Sequence, residues 1–129
     1  MSRLHVLVAL TTLGLYMVYA PSFAQEPEAA KAKMIQALTG SAKGECAENI
    51  MSPLLLDACE QQVAANRKLL SPLGRIIDAR YRGMQEMGNG LKAEAYRVEF
   101  ERGTMMWLAS LDGAGRLLVL WSDGQVRQK

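Results

Sequence analysis

The amino-acid sequence predicts an α+β domain in which two helices pack on a four-stranded antiparallel meander sheet. Up to Leu70 the apolar residues recur at helical spacing, and after Gly74 they alternate with a period of two. Short turn sequences separate the alternating segments at residues 88–90, 102–103 and 112–115. A run of helices followed by a run of strands is typical of helices that cover one face of an antiparallel sheet.

The first helix is predicted over residues 27–39. Pro27 suits an early helical position, and Met34 and Leu38 fall on one face at helical spacing. Gly40 is a natural stop, because glycine commonly follows the last turn of a helix.

The second helix is predicted over residues 53–70. Ser52 is a favourable N-cap, and proline is well tolerated at the first helical position, which Pro53 occupies. The predicted apolar face consists of Leu55, Leu56, Cys59, Val63 and Leu70.

The first two strands show alternating patterns. Ile77, Ala79 and Tyr81 alternate with charged residues, which predicts a strand with one buried face. In the next strand the apolar phase slips by one residue between Ala95 and Tyr96, which predicts a β-bulge at that point.

The last two strands, at residues 105–111 and 117–121, are apolar on both faces and are therefore predicted to be covered. The tail at residues 123–129 is polar and is expected to fray. The predicted core contacts join Trp107 and Leu120 to Leu56 and Val63.

The beginning of the chain has the pattern of an export signal. Arg3 precedes an apolar run, and small residues at Ser22 and Ala24 match a signal-peptidase site, with cleavage expected before Gln25. The alternative is an uncleaved membrane anchor. We therefore expect a signal peptide at residues 1–24, a single domain at residues 25–122 and a polar tail at residues 123–129, in a periplasmic or secreted protein.

The two cysteines, Cys46 and Cys59, are expected to form a disulfide bond, since an exported chain with an even number of cysteines favours pairing. Two free buried thiols or a metal-binding pair are the alternatives. No metal or other cofactor is predicted, because the rest of the mature chain offers no soft ligand set.

The charge balance argues against two classes of partner. The full chain has 15 basic and 13 acidic residues. Loss of Arg3 with the signal removes one basic residue, so the mature chain has a net charge of about +1. Nucleic-acid binding and polybasic membrane association normally need a clustered excess of base. Arg75, Arg80, Arg82 and Arg97 form a modest basic group, but Asp78, Glu94 and Glu99 interleave with them, which favours a solvated sheet face.

Histidine chemistry is excluded from the predicted mature chain, because the one histidine, His5, lies in the signal. This removes serine–histidine and cysteine–histidine dyads. Carboxylate acid–base chemistry remains, with Asp57, Glu60, Asp78, Tyr81 and Tyr96 as candidates. The alternative is an exposed acidic edge on the second helix and a cross-strand tyrosine pair.

Several turn and strand-end sequences are shared with a known group of domains. They are the Ser-Pro-Leu-Gly end of the second helix at residues 71–74, the strands at 96–103 and 117–121, and the turn at 111–116. Over residues 28–122 the chain resembles small exported bacterial domains of unknown function with a nuclear-transport-factor-2-like, cystatin-like fold. Similar domains precede some secreted serine hydrolases. The resemblance implies a cone-like pocket between helix and sheet, and it transfers no catalytic residue.

The function expected from these observations is a non-enzymatic binding module for a protein or small apolar ligand in the cell envelope, acting through the sheet face or the helix–sheet cleft. The alternatives are an envelope inhibitor or immunity protein and a small carboxylate-dependent isomerase or hydratase. A homodimer is compatible with each. The candidate contact residues, for which core packing is the competing role, are Tyr81, Tyr96, Met105 and Trp107.

Overall fold

The computed structural model describes residues 28–129, and the predicted signal peptide and its cleavage site lie outside them. The described part is an α+β arrangement of two helices and a four-stranded antiparallel sheet. Within residues 28–129, no helix is both long and apolar enough to cross a membrane.

Helix α1 spans Lys31–Ala42, so the predicted span of 27–39 was wrong at both ends. Residue 27 lies outside the described residues, and residues 28–30 form a turn before the helix. Gly40 lies inside the helix. The chain leaves the helix at Gly44, whose positive φ of 81° permits backbone hydrogen bonds from Gly44 and Glu45 to the last turn. The glycine that terminates α1 is therefore Gly44, about one turn after Gly40.

Helix α2 spans Pro53–Leu70, as the sequence predicts. The Ser52 hydroxyl accepts a hydrogen bond from the Leu55 backbone N–H at 3.3 Å, which is the expected N-cap contact. A short 3₁₀ turn, Ser71–Leu73, and Gly74 with φ 80° then lead into the sheet.

The sheet is a meander in the order β1 (Ile76–Gly88), β2 (Leu91–Phe100), β3 (Gly103–Leu111), β4 (Leu117–Trp121). The chain before α2 continues the sheet beyond β4, because the Ser52 N–H donates to the Leu117 carbonyl oxygen. The helices lie against one face, which we call the helix-facing side. The opposite face is called the outer face.

The expected bulge within β2 was wrong. Ala95 and Tyr96 pair in unbroken register with Leu108 and Trp107 of β3. The apolar phase changes because β2 is buried on both faces, with Ala95 in a small outer-face cluster and Tyr96 in the main core.

The irregularities lie instead in β1, which carries one extra residue at each of three register shifts against β2. The first shift lies between Ile76 and Asp78. As a result Ile76 packs against the core, whereas Ile77, expected to be buried, is 57% exposed. Ala79 and Tyr81 keep the predicted helix-facing orientation.

The polar tail does not fray as expected. Thr104 and Arg127 exchange two backbone hydrogen bonds of 2.9 Å, so the tail borders β3 where β4 has ended. Val126 packs against the core and next to Gly103. A β-carbon added to Gly103 would lie 3.1 Å from the Cγ1 atom of Val126. The tail therefore belongs to the folded body.

The main core lies between the helices and the helix-facing side of the sheet. Trp107 is buried and Leu56 and Leu120 pack partly buried around the same cluster, while Val63 does not belong to it. The fully buried large side chains are Met34, Leu38, Leu70, Tyr96, Val98, Phe100 and Leu117.

Cys46 and Cys59 lie at disulfide-bonding distance, with their α-carbons 6.0 Å apart. Cys59 is buried in the first half of α2, and Cys46 precedes the helix in the connection from α1. The pair therefore ties the start of α2 to the chain before it, as the sequence predicts.

Candidate functional site

The residues proposed as a contact surface occupy the core. Tyr96, Met105 and Trp107 are all buried on the helix-facing side, and Tyr81 is partly buried against them. These side chains therefore do not form an exposed surface. Tyr81 and Tyr96 are directly opposite each other, with ring centroids 5.7 Å apart, so they form the cross-strand pair that was the competing prediction.

The acidic candidates from the sequence are separated in space. Asp57 and Glu60 are exposed on α2, and Asp57 accepts a hydrogen bond from the Gln61 side chain. Asp78 lies on the outer face of β1. A hydrogen bond from the Arg80 guanidinium holds the pKa of Asp78 below its usual value.

The carboxylate that sequence reasoning missed is Glu94, which is only 5% exposed. Its Oε1 accepts a hydrogen bond from the Tyr96 hydroxyl at 2.6 Å and another from the Ala30 backbone N–H at 3.1 Å. The sequence could have indicated this burial, because Glu94 lies two residues before Tyr96 and residues two apart in a strand share a face.

The same contact affects Tyr96. Burial, followed by the hydrogen bond to Glu94, raises the pKa of the Tyr96 phenol far above its usual value. The hydroxyl is therefore a permanent donor near neutral pH. The Glu94–Tyr96 pair also anchors the N-terminus of α1 to β2, across 64 residues of chain.

A helix–sheet cleft of about 360 Å³ opens between α1, α2 and the end of β4. This volume is at the lower end of the range for small-molecule sites. The lining is predominantly apolar at its base and polar at its rim, where Gln62, Asn66 and Asp123 lie. Its apolar residues include Leu38, Leu55, Leu70, Trp107 and Leu120.

Trp107 gives this cleft a specific polar feature. Within residues 28–129, its indole Nε1 and the Ser110 hydroxyl are the buried side-chain polar atoms without a hydrogen-bond partner. A buried donor without an acceptor costs about 1–3 kcal/mol, so such groups are rare. Trp107 lines the cleft, whereas Ser110 does not.

The exposed methionines lie away from the cleft. Met84 and Met106 are 55% and 43% exposed, and Met87 is 36% exposed, whereas Met105 belongs to the core. Of these, Met106 lies on the outer face, opposite Arg97 in the β2–β3 pairing.

Within the described residues, no group of three or more His, Cys, Asp or Glu side chains is arranged to hold a metal ion. Comparisons of the chain with protein-family models, curated proteins and solved structures gave no match. Three features of the described residues are candidates for function: the cleft, the buried Glu94–Tyr96 pair and the charged outer face.

Proposed function

We propose that this protein is a non-enzymatic binding module of the cell envelope that holds a small apolar ligand in the helix–sheet cleft. The observation that carries the proposal is the apolar lining of the cleft, which includes Trp107, a side chain whose buried indole N–H has no acceptor. The indole N–H is itself closed to solvent, so a ligand with one carbonyl, ether or carboxylate oxygen would fill the cleft and supply that acceptor only after a small shift of the side chains around Trp107.

The size and lining of the cleft support this class of ligand. A cavity of about 360 Å³ can hold a compact or short-chain apolar molecule. Leu38, Leu55 and Leu120 would remove its apolar surface from water, at about 25 cal/mol per Å². Export to the periplasm or medium and a cystatin-like fold are part of the proposal. The Cys46–Cys59 pair supports export, because disulfides persist in oxidising compartments.

The test is a binding titration that uses Trp107 as its reporter. In a Trp121→Phe background, Trp107 is the remaining tryptophan. A panel of medium-chain fatty acids, alcohols and alkanes, added to that variant, should change the Trp107 emission, with oxygen-bearing ligands binding more tightly than alkanes of equal length.

A cleft-filling variant separates binding from folding. Ala58 lines the cleft at its exposed side, so Ala58→Phe should occupy the space and abolish the titration while the protein stays folded. Ala64→Phe, on an exposed position of α2 outside the cleft, is the matched control and should leave binding unchanged. Equal binding by the Ala58→Phe variant would contradict the proposal.

A second candidate, a carboxylate-dependent isomerase or hydratase, is favoured by the buried Glu94–Tyr96 pair alone. Glu94 does not line the helix–sheet cleft, and both of its hydrogen bonds are made within the fold. These contacts favour a structural role. Glu94→Gln, which keeps the acceptor oxygen and removes the base, would abolish any such activity while leaving ligand binding in the cleft intact.

A further inference from the structure

The outer face of the sheet carries an arginine groove, formed by two adjoining cavities of about 430 and 440 Å³. Arg97, Thr104 and Arg127 line both of them. The sheet supplies one side of the groove, and the docked tail supplies the other. Arg82 and Met106 complete the first cavity together with the tail residues Asp123 and Gln125.

Folding separates the charges that the sequence interleaves. Glu94 turns to the helix-facing side, and Arg75 pairs with Glu101 at the end of the sheet, so neither belongs to the groove. In exchange the tail brings Arg127 to the face. The face stays exposed and of mixed charge, as expected, and its excess of base rises because the tail adds Arg127 and Lys129 with one acid, Asp123.

The acids that remain on the face already have cationic partners. Asp78 pairs with Arg80 at 3.1 Å, and Glu99 pairs with Lys129 at 2.8 Å. Within residues 28–129, Arg82, Arg97 and Arg127 make no ion pair. Three guanidinium groups thus converge on one groove, and Asp123 is the one acid there without a basic partner among the described residues.

The register of β1 and β2 places two arginines side by side on the outer face. Arg80 lies directly opposite Arg97 in the β1–β2 pairing. Like charges at directly opposed positions destabilise a sheet, so this arrangement costs stability. Asp78 offsets part of this repulsion at Arg80, whereas Arg97 has no ion pair among the described residues. A charge left uncompensated in this way is typical of a functional position.

From this surplus of guanidinium charge we propose that the arginine groove binds an extended acidic segment of a partner protein. Guanidinium groups hold carboxylates through two parallel hydrogen bonds, and Arg82, Arg97 and Arg127 are exposed and able to do so. The exposed Met106 side chain offers an adaptable apolar contact between them. A groove with the sheet on one side and the tail on the other suits an extended chain that lies along it.

The experiment measures fluorescence anisotropy of a fluorescein-labelled peptide of alternating glutamate and leucine, with the purified protein. We expect saturable binding that weakens as NaCl is raised, and no binding of the peptide with glutamine in place of glutamate. Arg97→Gln should weaken binding about tenfold or more, the usual effect of losing a charge-assisted hydrogen bond.

Arg67→Gln is the matched control, because Arg67 is an exposed arginine on α2, outside the groove. It should bind the peptide as the wild type does. Relief of the Arg80–Arg97 repulsion should leave the urea midpoint of Arg97→Gln at or above that of the wild type.

Three results would overturn the proposal. The first is that the wild type does not bind the glutamate peptide. The second is that Arg67→Gln loses as much peptide affinity as Arg97→Gln. The third is that the urea midpoint of Arg97→Gln falls far enough for unfolding to explain its loss of peptide affinity. Arg97-dependent binding to phosphatidylglycerol vesicles without peptide binding would mean that the groove binds a lipid headgroup and not an acidic protein segment. Cleft filling by Ala58→Phe should not affect the peptide, so the two proposals can fail separately.

Discussion

The Tyr96 hydroxyl donates a 2.6 Å hydrogen bond to the Glu94 carboxylate inside the protein, and the Ala30 N–H donates a second to the same oxygen. Glu94→Ala would leave both donors buried without an acceptor. Each such group costs about 1–3 kcal/mol, so we expect the free energy of unfolding to fall by about 2–6 kcal/mol. Glu94→Gln keeps the oxygen and should lose less. Urea titrations of the two variants measure this, and equal midpoints for Glu94→Ala and the wild type would contradict it.

The raised pKa of Tyr96 predicts a loss of stability at alkaline pH. The unfolded phenol ionises near pH 10, whereas the folded one keeps its proton. Above that pH the unfolded state therefore binds fewer protons than the folded state, and the free energy of unfolding falls as pH rises. Urea midpoints between about pH 9 and 11 should fall less steeply for Tyr96→Phe than for Tyr81→Phe. Parallel slopes would argue against the assignment.

The Glu99–Lys129 pair predicts an effect at acid pH. A hydrogen bond from Lys129 lowers the pKa of Glu99, so the pair stabilises the folded state at neutral pH and loses this contribution as pH falls through the lowered pKa. Lys129→Ala should return the pKa of Glu99 towards its ordinary value. Carboxyl chemical shifts followed by NMR against pH report this directly. An unchanged Glu99 titration would show that the tail is not held there.

The Cys46–Cys59 bond should be present in the purified protein, and its loss should be costly. Replacing both cysteines by serine is expected to lower the free energy of unfolding by about 2–5 kcal/mol, the usual range for native bridges in small secreted domains. Urea titration gives the difference, and non-reducing mass analysis should find two hydrogens fewer than in the reduced chain. Two free thiols in exported material would refute the bond.

Truncation to alanine should lower the stability strongly at Trp107 and hardly at all at Asp57. Trp107 is buried in the core, so Trp107→Ala should cost about 3–5 kcal/mol. Trp107→Phe should cost much less, because it also removes the unpartnered N–H. Asp57 is exposed, and Asp57→Ala should stay within about 0.5 kcal/mol of the wild type. A wild-type midpoint for Trp107→Ala would place Trp107 at the surface.

The elements that the sequence predicts well are those specified by local contacts. Helix α2 begins at Pro53 because Ser52 caps it, and both residues are adjacent in the chain. The Tyr81–Tyr96 pair also follows from alternation across one hairpin. In both cases the interacting groups are close in sequence, so their spacing carries the information.

The features that the sequence does not predict depend on distant partners. Glu94 is ionisable and has apolar neighbours in the chain, and its burial depends on the distant Ala30 N–H as well as on the nearby Tyr96 hydroxyl. Ile77 is exposed because an extra residue in β1 changes the phase. The arginine groove needs Arg127, which reaches the sheet only when the tail pairs with Thr104.

The three extra residues in β1 have a consequence for behaviour in concentrated solution. β1 is an edge strand of the sheet and, at 13 residues, is its longest strand. A long, flat edge is a template on which a second chain can add a strand and begin to aggregate. Each added residue increases the local twist and interrupts the row of free N–H and carbonyl groups, so a straight strand cannot pair along the full edge. Deleting Gly83, which lies at the second of these shifts, should therefore make the protein more prone to form fibres.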